Sequence, residues 1–262
     1  MCELLGLSFA KPVSAAFSIR EFAGRGADNA DGWGLAWYPD RSLAVVKEPI
    51  QWRESGHTGF LESYTRLQSQ IYIAHVRHRT TGGPPTHADT HPFARELAGR
   101  DYCFAHNGTI EGDFWELALG PFRPVGKTDS EHLFCHILSE MAAGSLTLDA
   151  EAGWRWLHQK LLVLNRQGRI NCFLSDGQLL FAYRDANGWK GLTFCKAYIR
   201  DHKASRFEDA VITLDLQERE SVNHGFMVTT NPLSPKDWQF LEPGELMVFE
   251  AGLARFSSHR QV

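Results

Sequence analysis

The sequence predicts an α+β domain of mostly antiparallel sheet, and three observations carry that prediction. Short apolar, β-rich segments separated by turn residues fill the first third of the 262-residue chain. Two amphipathic helical patterns follow one another near the middle. β-rich segments then return from residue 170 onward. Because the strands and helices are grouped and do not alternate as βαβ units, a Rossmann-type sheet is not expected.

The strands are predicted where β-branched and aromatic residues are bounded by Gly, Pro, Asp or Asn. In the first part of the chain they cover residues 4–9, 33–38, 43–47, 71–76 and 102–105. In the last part they cover residues 171–174, 179–183, 192–195, 211–214, 226–229 and 246–249. Two stretches rich in Gly, Asp or Pro, residues 23–32 and 80–91, predict loops between the early strands.

The first helical pattern opens on Thr128 and Glu131, which have the spacing of a capping box. The Thr128 hydroxyl is expected to accept from the backbone N–H of residue 131, while Glu131 reaches back. The apolar residues that follow at helical spacing are Leu133, Phe134, Ile137, Leu138 and Met141. A second helix is expected over about residues 150–164.

Composition and charge narrow the class of protein. The chain is 43% hydrophobic and 22% charged, with 17 Phe and 8 Trp, which is typical of a globular protein and not of a disordered one. The net charge of −4, without a long Lys or Arg run, argues against a nucleic-acid partner. No apolar stretch is long enough to predict a membrane span, and no signal peptide predicts secretion. Five widely spaced cysteines then predict free thiols in the cytoplasm.

Cys2 directly follows Met1 and precedes the first predicted strand. Cysteine is small enough for the initiator methionine to be removed, so the mature chain is expected to begin at Cys2. Its α-amine, with an ordinary pKa of about 7.7–8.0, could then activate the thiol of the same residue. Taken alone, a residue this close to a terminus is more often without function.

Three polar clusters adjoin the predicted buried strands: residues 75–83, residues 105–111 and the helix start at residues 128–131. Each has an ordinary structural interpretation. Asn107-Gly108 is typical of a hairpin turn, Arg77 of a solvated charge, and Asp129 of a residue that favours the helix dipole. Together with Cys2, however, the clusters follow a recognisable order.

That order is Cys2, then His75-x-Arg77-x-x-Thr80, then His-Asn-Gly, then Thr-Asp-Ser-Glu, and it resembles the glutaminase domain of the class II glutamine amidotransferases. These enzymes are N-terminal nucleophile hydrolases. Residues 29–36 are most similar to the small stand-alone members. The resemblance implies a four-layer αββα sandwich of two mostly antiparallel sheets between helices. It also implies a single domain over residues 1–262, with Met1 removed and no room for a synthase domain.

The resemblance implies a reaction as well. Cys2 would attack the γ-amide of glutamine, or of a related γ-glutamyl compound, and form a γ-glutamyl thioester while its own α-amine shuttles the proton. The Asn107 side chain and the Gly108 backbone N–H would form the oxyanion hole. Donors of this kind are each worth roughly 10²–10³ in rate.

Substrate recognition is implied in the same way. Arg77 would hold the α-carboxylate, Asp129 the α-ammonium, and Thr80 would line the same pocket. A guanidinium suits the first role because it binds a carboxylate with two parallel hydrogen bonds. No cofactor and no metal is implied. The partner left open by the resemblance is a separate ammonia-using synthase or a peptidase.

Two alternatives remain open from the residues themselves. The first is a metal-dependent hydrolase, because several histidines fall close together and His132 and His136 have the i, i+4 spacing of paired ligands. The clustered histidines are His75, His78, His87, His91 and His106. No carboxylate accompanies them at a recognised zinc spacing. The second alternative is a non-catalytic regulatory subunit that keeps the fold without turnover.

Overall fold

The computed structural model describes residues 2–17, 31–64, 66–78, 84–199, 205–208, 213–217, 223–232 and 237–262. Most of the predicted loop over residues 23–32 lies outside these ranges, and so does Thr80. Among the helices that are described, none combines the length and the apolar character needed to cross a bilayer.

The elements are mainly strands, with three α-helices in the described ranges. The strands are β1 (Glu3–Phe17), β2 (Trp33–Trp37), β3 (Ala44–Glu48), β4 (Gln68–Val76), β5 (Phe93–Leu97), β6 (Arg100–Ile110), β7 (Gly168–Ser175), β8 (Leu179–Tyr183), β9 (Thr193–Ile199), β10 (Ser205–Glu208), β11 (Thr213–Gln217), β12 (Asn223–Thr229), β13 (Gln239–Phe240), β14 (Leu246–Glu250) and β15 (Leu253–Ser257). The helices are α1 (His57–Ser63), α2 (Asp129–Ala143) and α3 (Glu151–Leu164).

Two antiparallel sheets form the body of the molecule. In the first, the order is β13-β9-β12-β1-β4-β2-β3, with β11 also pairing with β1 and β10 with β11. In the second, the order is β15-β14-β8-β7-β6-β5. Strand β1 thus lies inside its sheet, and β6 lies next to the edge of the other.

The two sheets pack face to face through the side chains that alternate toward each other. Along β1, Leu4 belongs to the core between the sheets, whereas Leu5 and Leu7 face the outer side of the first sheet. This is the period of two expected of a strand buried on both faces. Gly6 brings the sheets close, because a Cβ there would lie 3.1 Å from the ring of Phe173.

Helices cover both outer faces and complete the αββα sandwich that was expected. Leu133 of α2 and Leu157 of α3 pack in one cluster with Ile170 of the second sheet. On the opposite side, Leu61 of α1 packs with Trp33 of the first sheet. The prediction of the two long helices is confirmed. Helix α1 was not predicted, because seven residues are too few to show a helical period.

The structure corrects two local expectations. Asn107 and Gly108 do not form a turn: β6 continues through them, and they pair with Asn171 and Ile170 of β7.

The capping box at the start of α2 is half as predicted. The Thr128 hydroxyl caps α2 by accepting from the Glu131 N–H at 3.2 Å.

The Glu131 carboxylate, however, does not reach back to Thr128. It accepts instead from the N–H groups of Val125 and Gly126, at 3.1 and 2.7 Å, and it pairs with Arg95. The turn before the helix competes successfully for this carboxylate, because it offers two backbone donors and a guanidinium.

Three histidines are buried where the sheets meet. His75 of β4 donates from Nε2 to the backbone carbonyl of His106 in β6, at 3.2 Å, and so joins the two sheets. The ring of His91 stacks on that of His75 with 4.2 Å between centroids. Burial lowers the pKa of all three, that of His75 to about 3. The three rings are therefore neutral in the folded protein at pH 7.

These histidines predict loss of stability in acid. The pKa of His75 is about 3 when folded and about 6.5 when unfolded, so the unfolded chain binds more protons between these values. The free energy of unfolding should therefore fall with decreasing pH, by up to about 1.4 kcal/mol per pH unit for this residue. Urea titrations between pH 7 and pH 4 measure the slope.

His75→Gln tests this assignment, because its amide keeps an N–H donor but does not titrate. The variant should show a shallower slope than the wild type. His57→Gln is the matched control, since the His57 side chain is 61% exposed. An unchanged slope in His75→Gln would contradict the assignment.

Candidate active site

The pairing of β1 with β4 sets the position of Cys2. Glu3 lies opposite Val76, so Cys2 precedes β1 beside Arg77 and His78, which follow β4. The Cys2 Sγ accepts from the His78 N–H at 3.2 Å and lies 3.3 Å from the His78 carbonyl oxygen. As a residue, Cys2 is partly exposed, whereas the other four cysteines are buried as predicted. The strand register thus places the one partly exposed cysteine at one end of the sandwich.

Asn107 approaches Cys2 from the other sheet. Its side-chain Nδ2 donates to the Cys2 carbonyl oxygen at 2.9 Å. The neighbouring position, Gly108, has no room for a side chain: a Cβ would lie 1.8 Å from the Arg169 carbonyl oxygen and 2.5 Å from His106 Nε2. The Asn107 side chain thus contacts Cys2 across the sandwich, and Gly108 follows it where β6 packs tightly against Arg169 of β7.

A cavity of about 280 Å³ opens beside the thiol. Four of the predicted site residues line it, namely Cys2, Arg77, Gly108 and Asp129. Asn107 lies against Cys2 but does not line the cavity. The cavity wall also includes His91, His106, Phe114, Trp115 and Ser130, which sequence reasoning did not assign to the site. A larger groove of about 640 Å³ between β12 and β15 shares no lining residue with this cavity.

Side chains of opposite charge line the cavity: the basic Arg77 and Lys127 and the acidic Asp129. Asp129 is the first residue of α2, and its Oδ2 accepts from the Ile110 N–H at 2.7 Å and its Oδ1 from the Ser130 N–H at 2.8 Å. The backbone N–H of Arg77 donates to the Gly32 carbonyl at 2.8 Å, and its side chain is largely buried. The Asp129 carboxylate is thus fixed by two backbone hydrogen bonds on the cavity that Arg77 also lines.

The environment of Cys2 does not favour a resting thiolate. Burial raises the pKa of the thiol, while the hydrogen bond from the His78 N–H and the charge of Arg77 act in the opposite direction. Because burial is the largest contribution, the thiol is protonated at neutral pH. A nucleophile in this state requires a base that takes its proton as it reacts.

The metal alternative depends on where its histidines point. His132 Nε2 lies 3.1 Å from the Leu117 carbonyl oxygen, and His136 Nδ1 lies 2.8 Å from that of Ala118. Since a carbonyl oxygen can only accept, these two nitrogens carry the protons, and only the other nitrogen of each ring could bind a metal. Within the described ranges, no three His, Cys, Asp or Glu side chains are grouped to hold an ion.

Comparison with known proteins agrees with this geometry. An uncharacterized protein of Methanocaldococcus jannaschii is 40% identical over 261 residues, which cover 99% of this chain and 72% of that protein. The Escherichia coli protein YafJ is 31% identical over 266 residues, covering 96% and 98% of the two chains. A crystal structure described as a predicted glutamine amidotransferase from Pseudomonas aeruginosa superposes with a TM-score of 0.72 at 28% identity, covering 97% of this chain and all of that one.

The family model for class II glutamine amidotransferases matches residues 1–262, the whole chain. The αββα sandwich agrees with it, because this is the architecture of the N-terminal nucleophile hydrolases. The chain therefore belongs to the class II glutamine amidotransferases.

Proposed function

We propose that this protein hydrolyses the γ-amide of glutamine, or of a related γ-glutamyl compound, through a thioester on Cys2. The observation that carries the proposal is one cavity bordered by the Cys2 thiol, Arg77, Gly108 and Asp129. A nucleophile, a cation and an anion on one cavity match an amide substrate that carries an α-carboxylate and an α-ammonium.

In the proposed reaction, removal of Met1 leaves Cys2 with a free α-amine next to its thiol. The amine takes the thiol proton as Sγ bonds to the γ-carbonyl carbon. It then gives a proton to the leaving nitrogen, the C–N bond breaks, and ammonia departs. Water adds to the thioester, the C–S bond breaks, and glutamate leaves with the thiol restored. In this scheme the base acts during attack, so a resting thiolate is not required.

The carbonyl oxygen becomes an oxyanion during both attacks. The proposed donors are the Gly108 N–H and the Asn107 side chain. One Nδ2 hydrogen of Asn107 points to the Cys2 carbonyl, and the amide has a second hydrogen that can serve the oxyanion. The strand pairing holds the Gly108 backbone, and the hydrogen bond to Cys2 holds the Asn107 side chain. Donors that are in place before the substrate arrives require no reorganisation during the reaction.

Substrate recognition is assigned to opposite charges. Arg77 would pair with the α-carboxylate and Asp129 with the α-ammonium, and Thr80 is proposed to line the pocket on the resemblance alone. These contacts would recognise the γ-glutamyl head group of the substrate, and they do not discriminate between leaving groups. The proposal covers one domain over residues 1–262 in the cytoplasm, where free thiols persist. Ammonia would be released or passed to a separate synthase or peptidase partner.

Cys2→Ala should abolish release of ammonia and glutamate, and Cys2→Ser should lower it strongly, because a hydroxyl is a weaker nucleophile. Coupled assays of both products on glutamine and γ-glutamyl amides measure the rates, and circular dichroism checks the fold. Cys195→Ala is the control, since Cys195 is buried and lies away from the cavity. Wild-type rates in Cys2→Ala would refute the thioester. An inactive wild type would favour the regulatory-subunit alternative.

The α-amine is tested separately by blocking it. A protein with a cleavable N-terminal extension should be inactive while the extension is present, although its Cys2 thiol is intact. Cleavage that leaves Cys2 as the first residue should restore hydrolysis. Thiol titration before and after cleavage confirms that the cysteine itself is unchanged. Full activity with the extension in place would show that the α-amine is not the base.

A further inference from the structure

We propose that His106 is a positioning residue: it accepts the hydrogen bond of the Ser130 hydroxyl and so keeps the Asp129 carboxylate open to the substrate ammonium. The inference deepens the proposed function and rests on its assignment of Asp129. It concerns a buried side chain whose two ring nitrogens both have partners, although the proposed reaction does not use it.

The hydrogen bonds of His106 fix its tautomer. Nε2 lies 3.0 Å from the Arg169 carbonyl oxygen, which can only accept, so Nε2 carries the proton. Burial lowers the pKa of the imidazole, which is therefore neutral at pH 7 and above and has one N–H. Nδ1 is then an acceptor, and it lies 2.8 Å from Ser130 Oγ. The Ser130 hydroxyl consequently donates to His106.

This direction matters because Ser130 has a second acceptor within reach. Its Oγ lies 3.3 Å from Asp129 Oδ1. A hydroxyl has one proton, so donation to His106 leaves Asp129 without it. The Asp129 carboxylate then accepts hydrogen bonds from the backbone N–H groups of Ser130 and Ile110. Each oxygen retains a lone pair that an ammonium can use.

The same contact connects the two halves of the site. The Arg169 carbonyl that holds His106 also occupies the space where a side chain at Gly108 would lie. One strand, β6, thus carries His106, the proposed oxyanion donors, and the Ile110 N–H that holds Asp129. The backbone pairing of β6 sets the position of His106. Through the Ser130 hydroxyl, His106 acts on Asp129 at the proposed head-group end of the cavity.

His106→Leu removes the acceptor of the Ser130 hydroxyl, because the leucine side chain has no polar atom. Glutamine is unsuitable here, since its amide oxygen could accept from Ser130 in place of Nδ1. The Ser130 hydroxyl should then turn to Asp129 and compete with the ammonium. The probes are L-glutamate and glutarate, which lacks the ammonium, and calorimetry with the wild-type enzyme and each variant gives the dissociation constants.

The dissociation constant for glutamate should rise roughly tenfold or more in His106→Leu, the effect of one hydrogen bond to a charged group. That for glutarate should stay within about twofold of the wild-type value. Adding Ser130→Ala to His106→Leu should restore glutamate binding, because the competing hydroxyl is gone, although the Arg169 carbonyl lacks its His106 donor in both variants. A structural role for His106 predicts neither the ammonium dependence nor the restoration.

Two results would overturn the inference while leaving the proposed function intact. One is equal weakening of both ligands in His106→Leu, and the other is no recovery in the double variant, with glutamine hydrolysis by the wild type retained. A wild-type enzyme that neither hydrolyses glutamine nor binds glutamate would overturn the proposed function and this inference together.

Discussion

The site depends on strand β1 being bonded on both sides. β4 pairs with it through Glu3 and Val76, and β12 pairs with it through Leu5 and Thr229. The Thr229 hydroxyl adds a hydrogen bond of 2.9 Å to the Leu4 carbonyl. Chain termini usually fray, and these contacts are what prevents it here. The proposed nucleophile at position 2 has a defined place because the next residues are held in the interior of a sheet.

The second sheet contributes the residues that approach Cys2 from the opposite side. His75 reaches the His106 carbonyl, and Asn107 reaches that of Cys2, so the sandwich is joined by hydrogen bonds directly behind the thiol. The proposed oxyanion donors, head-group carboxylate and nucleophile therefore come from different sheets and one helix. Their relative positions are set by backbone pairing and sheet packing, which a bound substrate does not need to rearrange.

Much of this arrangement could be predicted from the sequence, because it depends on local patterns and on motif order. The apolar strands, the Thr128 cap and the buried cysteines all follow from spacing. The Asn107-Gly108 pair taken alone indicates a hairpin turn, and this interpretation is wrong. The pairing with the distant strand β7 keeps β6 extended there. The contact of His106 with Ser130 was also out of reach, because no local rule brings a strand residue to a helix residue 24 positions later.

The central claim is that Cys2, at the substrate cavity, is the nucleophile for γ-glutamyl amides. The most direct measurement is labelling of the native enzyme with a glutamine analogue bearing an electrophile at the amide position, followed by peptide mass spectrometry. The account predicts one label per chain, on Cys2, and protection by excess glutamate. Labelling of a buried cysteine, or labelling of Cys2 that glutamate does not slow, would contradict it.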